Sequence, residues 1–230
     1  MLKKENLFEF EQLEAFCLEL GVDAPFIVDN MDTRATILWQ SAKVFSSHGL
    51  KSCRIEDILV ASNVSRRTFY KYFKNKEDIL SELFNVASRL VMDIILVTLK
   101  KDDLPPAKLE KGISVFIDLL LTVGPLGNFL LSESMRLESP LAKKRIELYD
   151  QITSTMMLVI NSYYQVDLDR MLFQTLIYSV VGTAIHLYQE TEMNDDDRLR
   201  AKKALMTMAS ASITQAITDS VQSSKKNKSK

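Results

Sequence analysis

An all-α fold is what this 230-residue chain predicts, and three observations carry that reading. Six Gly and five Pro leave little material for the turns of a sheet-rich fold. Apolar residues recur at i, i+3, i+4 and i+7 through most of the sequence, the period of one helix face. Ser65, Asn75 and Ser139 stand just ahead of such runs, where their side chains accept bonds from unpaired first-turn amides. With 47% hydrophobic and 26% charged residues, the composition is that of an ordinary globular protein able to bury a core.

The first element is an acidic amphipathic extension over residues 1–31. Phe10, Leu13, Cys17 and Leu20 follow helical spacing with Phe16 beside them, and Gly21 and Pro25 close the segment. Two basic residues stand here against seven acidic ones, a net −5. A brace packed on its own protein is the expected role. A regulatory arm that docks near a basic surface is the sharper alternative.

Residues 32–80 supply that basic surface. A helix is expected from Thr33 to His48, with Ile37, Leu38, Ala42, Val44 and Phe45 inward, Trp39 packing, and Gly49 as its stop. Ile55, Ile58 and Leu59 mark a short second helix. Ala61-Ser62-Asn63-Val64 is a turn, in which Asn63 tolerates positive φ. Ser65 then caps a third helix of about two turns. Arg67, Tyr70, Lys71 and Lys74 share its front, and Val64, Phe69, Tyr72 and Phe73 lie behind.

From residue 32 to 76 nine basic residues face three acidic ones, a net +6 inside a chain of net −1. A basic module in a near-neutral protein is the footprint of a nucleic-acid-binding head. Turn, cap and basic front together read as a helix-turn-helix, ahead of an amphipathic hairpin whose charges merely face water. The expected DNA face is Arg54, Ser65, Arg66, Arg67, Thr68, Tyr70, Lys71 and Lys76. Arg66 and Arg67 are expected to read bases, since a guanidinium grips guanine bidentately; Tyr70 and Lys76 are expected to hold phosphate.

The run ILWQSAKVFSSHGLKSCRIEDILVASNVSRRTFYKYFKNKEDIL resembles, without a gap, the DNA-binding domain of the TetR family of transcriptional regulators. Its most specific part is VSRRTFYKYFKNKEDIL. Asn63 departs from the usual Gly, and Cys53 from the usual Thr or Ser, which weakens one expected phosphate contact. The resemblance implies a phosphate at Lys76, a start near Thr33 that makes the first thirty residues an addition, an effector pocket among the middle helices, and a homodimer through the last two helices.

Residues 81–221 form the expected body. Asn75 caps a helix through Leu80, Leu83, Phe84 and Ala87 to about Lys100, which starts at the DNA and so is the expected lever for regulation. Asp102-Asp103-Leu104-Pro105-Pro106 breaks the chain. Helical stretches follow at about 107–123, closed by Gly124-Pro125, at about 126–137, and from Ser139-Pro140 to about Gln165. The segments 168–190 and 196–220 come last, then a basic tail, 222–230, expected to be disordered. Segment 168–190 is apolar nearly all round, and small residues line 196–220, so two copies pairing these helices would bury both.

Candidate ligand-binding residues of the implied pocket are Met92, Phe116, Phe129, Met135, Tyr149, Met156, Met157, Tyr164, Phe173, Tyr178 and His186, each equally at home in a core. The scarcity of buried charge among them favours an apolar or amphipathic molecule. Catalysis finds little to use. His48 and His186 are the only histidines, and His186 with Glu190 makes two ligands, not a metal site. Asn194-Asp195-Asp196-Asp197 lacks the spacing of a calcium loop and reads as an acidic first turn. No phosphate-binding Gly loop or nucleophile motif occurs, and no cofactor is expected.

Cys17 and Cys53 do not make a disulfide framework, which points to a reducing compartment. No stretch is expected to approach a membrane span, and the cytoplasm follows. The sequence therefore reads as an all-α protein: a three-helix helix-turn-helix domain on a larger helical dimerisation and ligand-binding domain. Its expected role is that of a homodimeric repressor of a palindromic operator, relieved by a small apolar or amphipathic ligand. A DNA-bound scaffold that recruits a protein partner, and a helical ligand-binding protein without DNA function, are the alternatives.

Overall fold

A computed structural model describes residues 10–24, 32–100, 104–190 and 194–228. All regular structure among them is helical: α1 (Phe10–Leu20), α2 (Thr33–Ser52), α3 (Ile55–Ser62), α4 (Arg66–Tyr72), α5 (Lys76–Leu99), α6 (Pro105–Met135), α7 (Ala142–Tyr164), α8 (Arg170–Gln189) and α9 (Asp195–Lys228). The chain divides into two units. The first comprises Met1–Asp93 with Leu119–Arg145, the second Ile94–Asp118 with Ile146–Lys230, so α5, α6 and α7 contribute residues to both.

In the first unit the Asp32 carboxylate caps α2 by accepting from the Ala35 N–H at 2.7 Å. Gly49 interrupts that helix at φ 72°, ψ 161°, a conformation closed to side-chain-bearing residues, and one short turn carries on to Ser52. Ile37, Phe45, Ile58, Phe69, Ile79 and Leu80 are fully buried, and α2 packs on α3. Trp39 is buried too, as the sequence suggests, while Val44 is only half-buried. Phe129 of α6 stacks on Phe45 with ring centroids 5.9 Å apart. α1 buries Leu13 and Cys17, Gly21 follows it at φ 71°, and Leu18 is left exposed. Pro25 and the linker to α2 lie outside the described residues.

The start of α5 is fastened twice. Asn75 accepts from the Asp78 N–H at 2.8 Å, and the Asp78 carboxylate accepts from the Lys74 N–H at 3.2 Å. Lys76 Nζ then donates to the carbonyls of Leu50 and Cys53, at 2.6 and 2.9 Å. Those carbonyls end α2 and precede α3, so one ammonium ties three helices of the first unit at a single point.

The second unit is built on one apolar core, in which Ile113 and Ile117 of α6 meet Met156 and Ile160 of α7, Phe173 and Leu176 of α8, and Leu205 and Ile213 of α9. α8 packs along α9. The Asp169 side chain caps α8, and Asn194 caps α9 through the Asp197 N–H at 2.9 Å. Asp195, Asp196 and Asp197 accordingly form an acidic first turn, where carboxylates favour the positive end of the helix.

Three boundaries differ from expectation or sharpen it. α6 breaks at Gly124 (φ 51°, ψ −124°), just before Pro125, and resumes to Met135. Ser139-Pro140 lies in a turn, where Ser139 Oγ accepts from the Leu141 N–H at 3.2 Å, and α7 opens only at Ala142. α9 continues to Lys228 through most of the stretch expected as a disordered tail, because neither Gly nor Pro interrupts it and low complexity alone does not break a helix. The expectation that no segment approaches a membrane span is also corrected. By length and apolarity alone α6 and α8 would pass. The sequence reading had divided α6 at Gly124, and both helices place residues in the core just described.

Both thiols are buried. Burial pushes Cys17 up to about 11; burial and then the nearby Asp57 carboxylate raise Cys53, against the opposing pull of Lys76. A thiol that ionises late in the fold and near its ordinary value when unfolded favours the folded state below that ordinary value. The contribution is lost as pH climbs through the folded value. Native protein at pH 7.5 should therefore label slowly with a thiol reagent at both positions, and denatured protein rapidly, as mass spectrometry of timed samples would check. Lys76→Met should lower stability by about 1–3 kcal/mol in urea titration, since it strands two carbonyls that now share a charged donor; an unchanged midpoint would mean the ammonium fastens nothing.

Candidate nucleic-acid interface

α3, the turn and α4 form the helix-turn-helix. Asn63 ends α3 at φ 52°, ψ 42°, the left-handed conformation that Asn tolerates best after Gly. Val64 N–H reaches the Leu59 carbonyl at 3.2 Å and Asn63 N–H the Val60 carbonyl at 3.3 Å, which closes the helix end. Asp57 accepts from the Arg54 N–H at 2.7 Å, fixing the other end of α3. Ser65 caps α4 through the Thr68 N–H at 3.1 Å, and its hydroxyl also meets the Thr68 hydroxyl at 2.9 Å.

Phe69 and Phe73 anchor the back of α4. Both are buried, and their rings lie 6.3 Å apart. The Arg34 guanidinium covers Phe73 at 5.3 Å and pairs with Glu82 at 3.3 Å. Tyr72 and Val64 are half-buried.

The expected front faces solvent. Ser65, Arg66, Arg67, Tyr70, Lys71 and Lys74 are exposed and Thr68 is half-buried. Arg67 and Lys71 on α4, and Lys74 two residues past its end, form no ion pair among the described residues, so these cations stand without local neutralisation. Arg66 is different: its guanidinium pairs with Glu56 of α3. Arg54 is exposed beside it. Cys53 turns inward and its thiol donates to the Arg54 carbonyl at 3.4 Å, so no side chain reaches out from that position. Lys76, expected at a phosphate, has its ammonium on the Leu50 and Cys53 carbonyls. Sequence spacing marked Arg66 and Lys76 as basic and could not show these local partners.

The expected ligand residues are dispersed. Met156 and Phe173 belong to the core of the second unit, and Met157 and Tyr164 pack against it. Phe116, Tyr149, Tyr178 and His186 are in the same unit, with Tyr149 edge-on to Tyr178 at 5.4 Å and the latter two exposed. Met92, Phe129 and Met135 lie in the first unit.

The second unit also holds a charge that the sequence reading passed over. Lys108 is 4% exposed, and its Nζ donates to the Leu99 carbonyl at 2.8 Å and to the Tyr163 hydroxyl at 3.2 Å. With the ring centroid of Tyr163 at 5.0 Å and its hydroxyl at 3.2 Å, the ammonium sits by the hydroxyl rim, not over the ring face. Among the described residues no carboxylate pairs with it. Burying an ammonium costs on the order of several kcal/mol. The carbonyl end of a helix returns about 0.3–1 kcal/mol to a nearby cation, roughly 2 at best.

Among the described residues no three His, Cys, Asp or Glu side chains group as a metal site. Residues 37–83 match the family model described as bacterial regulatory proteins, tetR family. No curated protein matches the chain in sequence. Solved structures do match in fold. The fatty acid degradation regulator FadR of Bacillus halodurans has a TM-score of 0.67 at 18% identity, covering 79% of this chain and 96% of its own. FadR of Bacillus subtilis, solved with stearoyl-CoA, gives 0.64 at 19% identity, over 77% of this chain and 97% of its own. AibR, solved with isovaleryl coenzyme A and operator DNA, gives 0.59 at 17% identity, over 77% and 97%. Residues 37–83 are thus similar to the tetR family of bacterial regulatory proteins, and the chain shares the fold of solved structures described as TetR-family transcriptional regulators.

Proposed function

We propose that the chain is a cytoplasmic, homodimeric repressor that binds a palindromic operator through the front of α4 and releases it when an amphipathic ligand occupies the second unit. The observation that carries the DNA reading is the pair of unpaired cations Arg67 and Lys71 on a helix whose cap and buried back fix its direction, with exposed Lys74 just past its end. Arg67 reads a base edge, with Arg66 beside it. Ser65, Thr68 and Tyr70 supply hydroxyls to phosphate or base, and Arg54 adds a flanking phosphate contact. Lys76 serves the interface by holding the start of α5 in place.

The dimer reading rests on α8 and α9. Met171, Thr175, Tyr178 and Gly182 form an exposed stripe on α8, and Ala204, Met208 and Ala211 one on α9. Small side chains there permit close approach of a second copy, and two copies would complete a four-helix interface. Such a dimer would set two recognition helices about 34 Å apart, one turn of duplex. The ligand reading draws on the apolar core of the second unit and on two structural neighbours solved with acyl-CoA thioesters.

Selection of bound genomic fragments at about 50 and 200 mM salt tests the whole proposal. A short palindrome retained at the higher salt is expected, and binding that vanishes without a motif would overturn it. On that site Arg67→Ala should cost about 1–3 kcal/mol and relax preference at one position of each half-site. Gly182 has open space where a Cβ would stand, so Gly182→Arg should leave the monomer folded. Sedimentation should nevertheless show loss of the dimer, with weaker operator binding; a dimer that persists would place the interface elsewhere.

A further inference from the structure

Lys108 occupies an unusual position for a lysine. It is nearly inaccessible, and among the described residues it has no acidic partner and only neutral oxygens receive its protons: the Leu99 carbonyl and the Tyr163 hydroxyl. An ammonium carries three donors, so one remains. Tyr163 is 49% exposed, which leaves the rim of this contact open to solvent. On the other side stands the apolar core: Leu99, Leu109 and Tyr164 pack against the cluster that contains Ile113 and Ile160. A cation without a counter-ion thus lies between an open edge and a hydrophobic interior, all within the second unit.

We propose that Lys108 anchors the anionic group, a carboxylate or a phosphate, of an amphipathic effector whose apolar part enters the adjoining core. This rests on the ligand-responsive reading above and adds to it the class of the ligand and the residue that recognises its charge. A buried cation is well served by an anion that arrives with its own hydrophobic cover, because the pair is then desolvated together. Two neutral oxygens leave that demand unmet. The arrangement also gives binding a consequence. Leu99 is the last residue of α5, and an anion that takes the remaining donor of the Lys108 ammonium offsets its charge and so weakens its bond to the Leu99 carbonyl. Occupancy therefore loosens the end of the helix whose first residue, Lys76, fastens the DNA-binding head.

The test uses the full chain and three probes of matched chain length: stearate, stearoyl-CoA and the uncharged stearamide, with affinities from calorimetry. Wild type is expected to bind at least one anionic probe tenfold or more tightly than stearamide, and the preferred one tells carboxylate from phosphate. Lys108→Gln keeps a donor for the Leu99 carbonyl and loses the charge, so it should bind the anionic probes at least tenfold more weakly and stearamide as before. Lys108→Arg should retain the anionic preference. Should the Gln variant fail to fold, the wild-type ratio and the Arg variant still decide. Equal wild-type affinity for charged and neutral probes, no binding of either anionic probe, or an undiminished anionic preference in Lys108→Gln would each overturn the proposal. Operator binding by the ligand-free Gln variant separates the two readings. If it binds DNA as wild type does while its probe affinities are unchanged, Lys108 is wrong and the regulator stands; if wild type itself selects no operator, the functional reading fails first.

Discussion

A helix of seven residues cannot hold itself together in water, because the cost of nucleating a helix exceeds what so few bonds return. α4 is such a helix, and everything its exposed side chains can do depends on what lies behind them. Phe69 and Phe73 supply that support. Their burial contributes roughly 1.5–3 kcal/mol each in removed apolar surface, and it also selects one rotation of the helix about its axis. Once that rotation is fixed, Arg67 and Lys71 have nowhere to point but outward. The Ser65 cap and the left-handed Asn63 then set where the helix begins and the angle at which the chain enters it. The cationic face is thus a consequence of an aromatic core, and a substitution at Phe69 would disturb recognition without touching DNA.

Lysine plays two opposite parts in this chain. On α4 it is a solvated charge, free of local acids and available to phosphate. At Lys76 and Lys108 it is a fastener whose ammonium meets backbone carbonyls. Each use follows from surroundings. A flexible four-carbon stem lets the charge reach the carbonyl end of a helix while its methylenes lie against apolar neighbours, and such ends attract cations. Composition counts these residues alike, so the net +6 of residues 32–76 overstates the charge presented to DNA. Lys76 is bound to Leu50 and Cys53, and Arg66 is paired with Glu56.

What was legible in the sequence was what depends on neighbours along the chain. Ser65 and Asn75 cap because a side-chain oxygen three residues before an amide can reach it in any helix, and Gly49 and Gly124 interrupt because their dihedrals admit no other residue. The front of α4 follows from a period of 3.6 residues alone. Contacts between distant residues were not legible. Lys76 bonds residues 23 and 26 positions earlier, and Lys108 bonds one 55 positions later. Nor could spacing sort the Met and aromatic residues. Met156 and Met92 look alike in sequence but belong to different units. The extent of α9 differs from expectation for a simpler reason: Lys is a good helix former, Ser and Asn are weak ones but not breakers, and a helix already under way continues through them.

Regulation needs a free-energy difference, not a large movement. A coupling of about 1–3 kcal/mol between two sites changes affinity by roughly 5- to 150-fold, enough to empty an operator. The second unit is suited to supply a change of that size, because at Lys108 the folded chain leaves a cation incompletely served. A single charge-assisted bond contributes about 1.5–3 kcal/mol. A ligand that completes the shell of that ammonium can therefore gain as much as the whole coupling requires, provided the gain is larger in one conformation of α5 than in the other. Burial of an apolar chain alone carries no such preference, since a core accepts apolar matter with little regard to the state of a distant helix end. Charge at the edge of the core is what can make binding differential. An imperfection that costs stability in the empty protein is, on this argument, the feature that makes the occupied protein different from it.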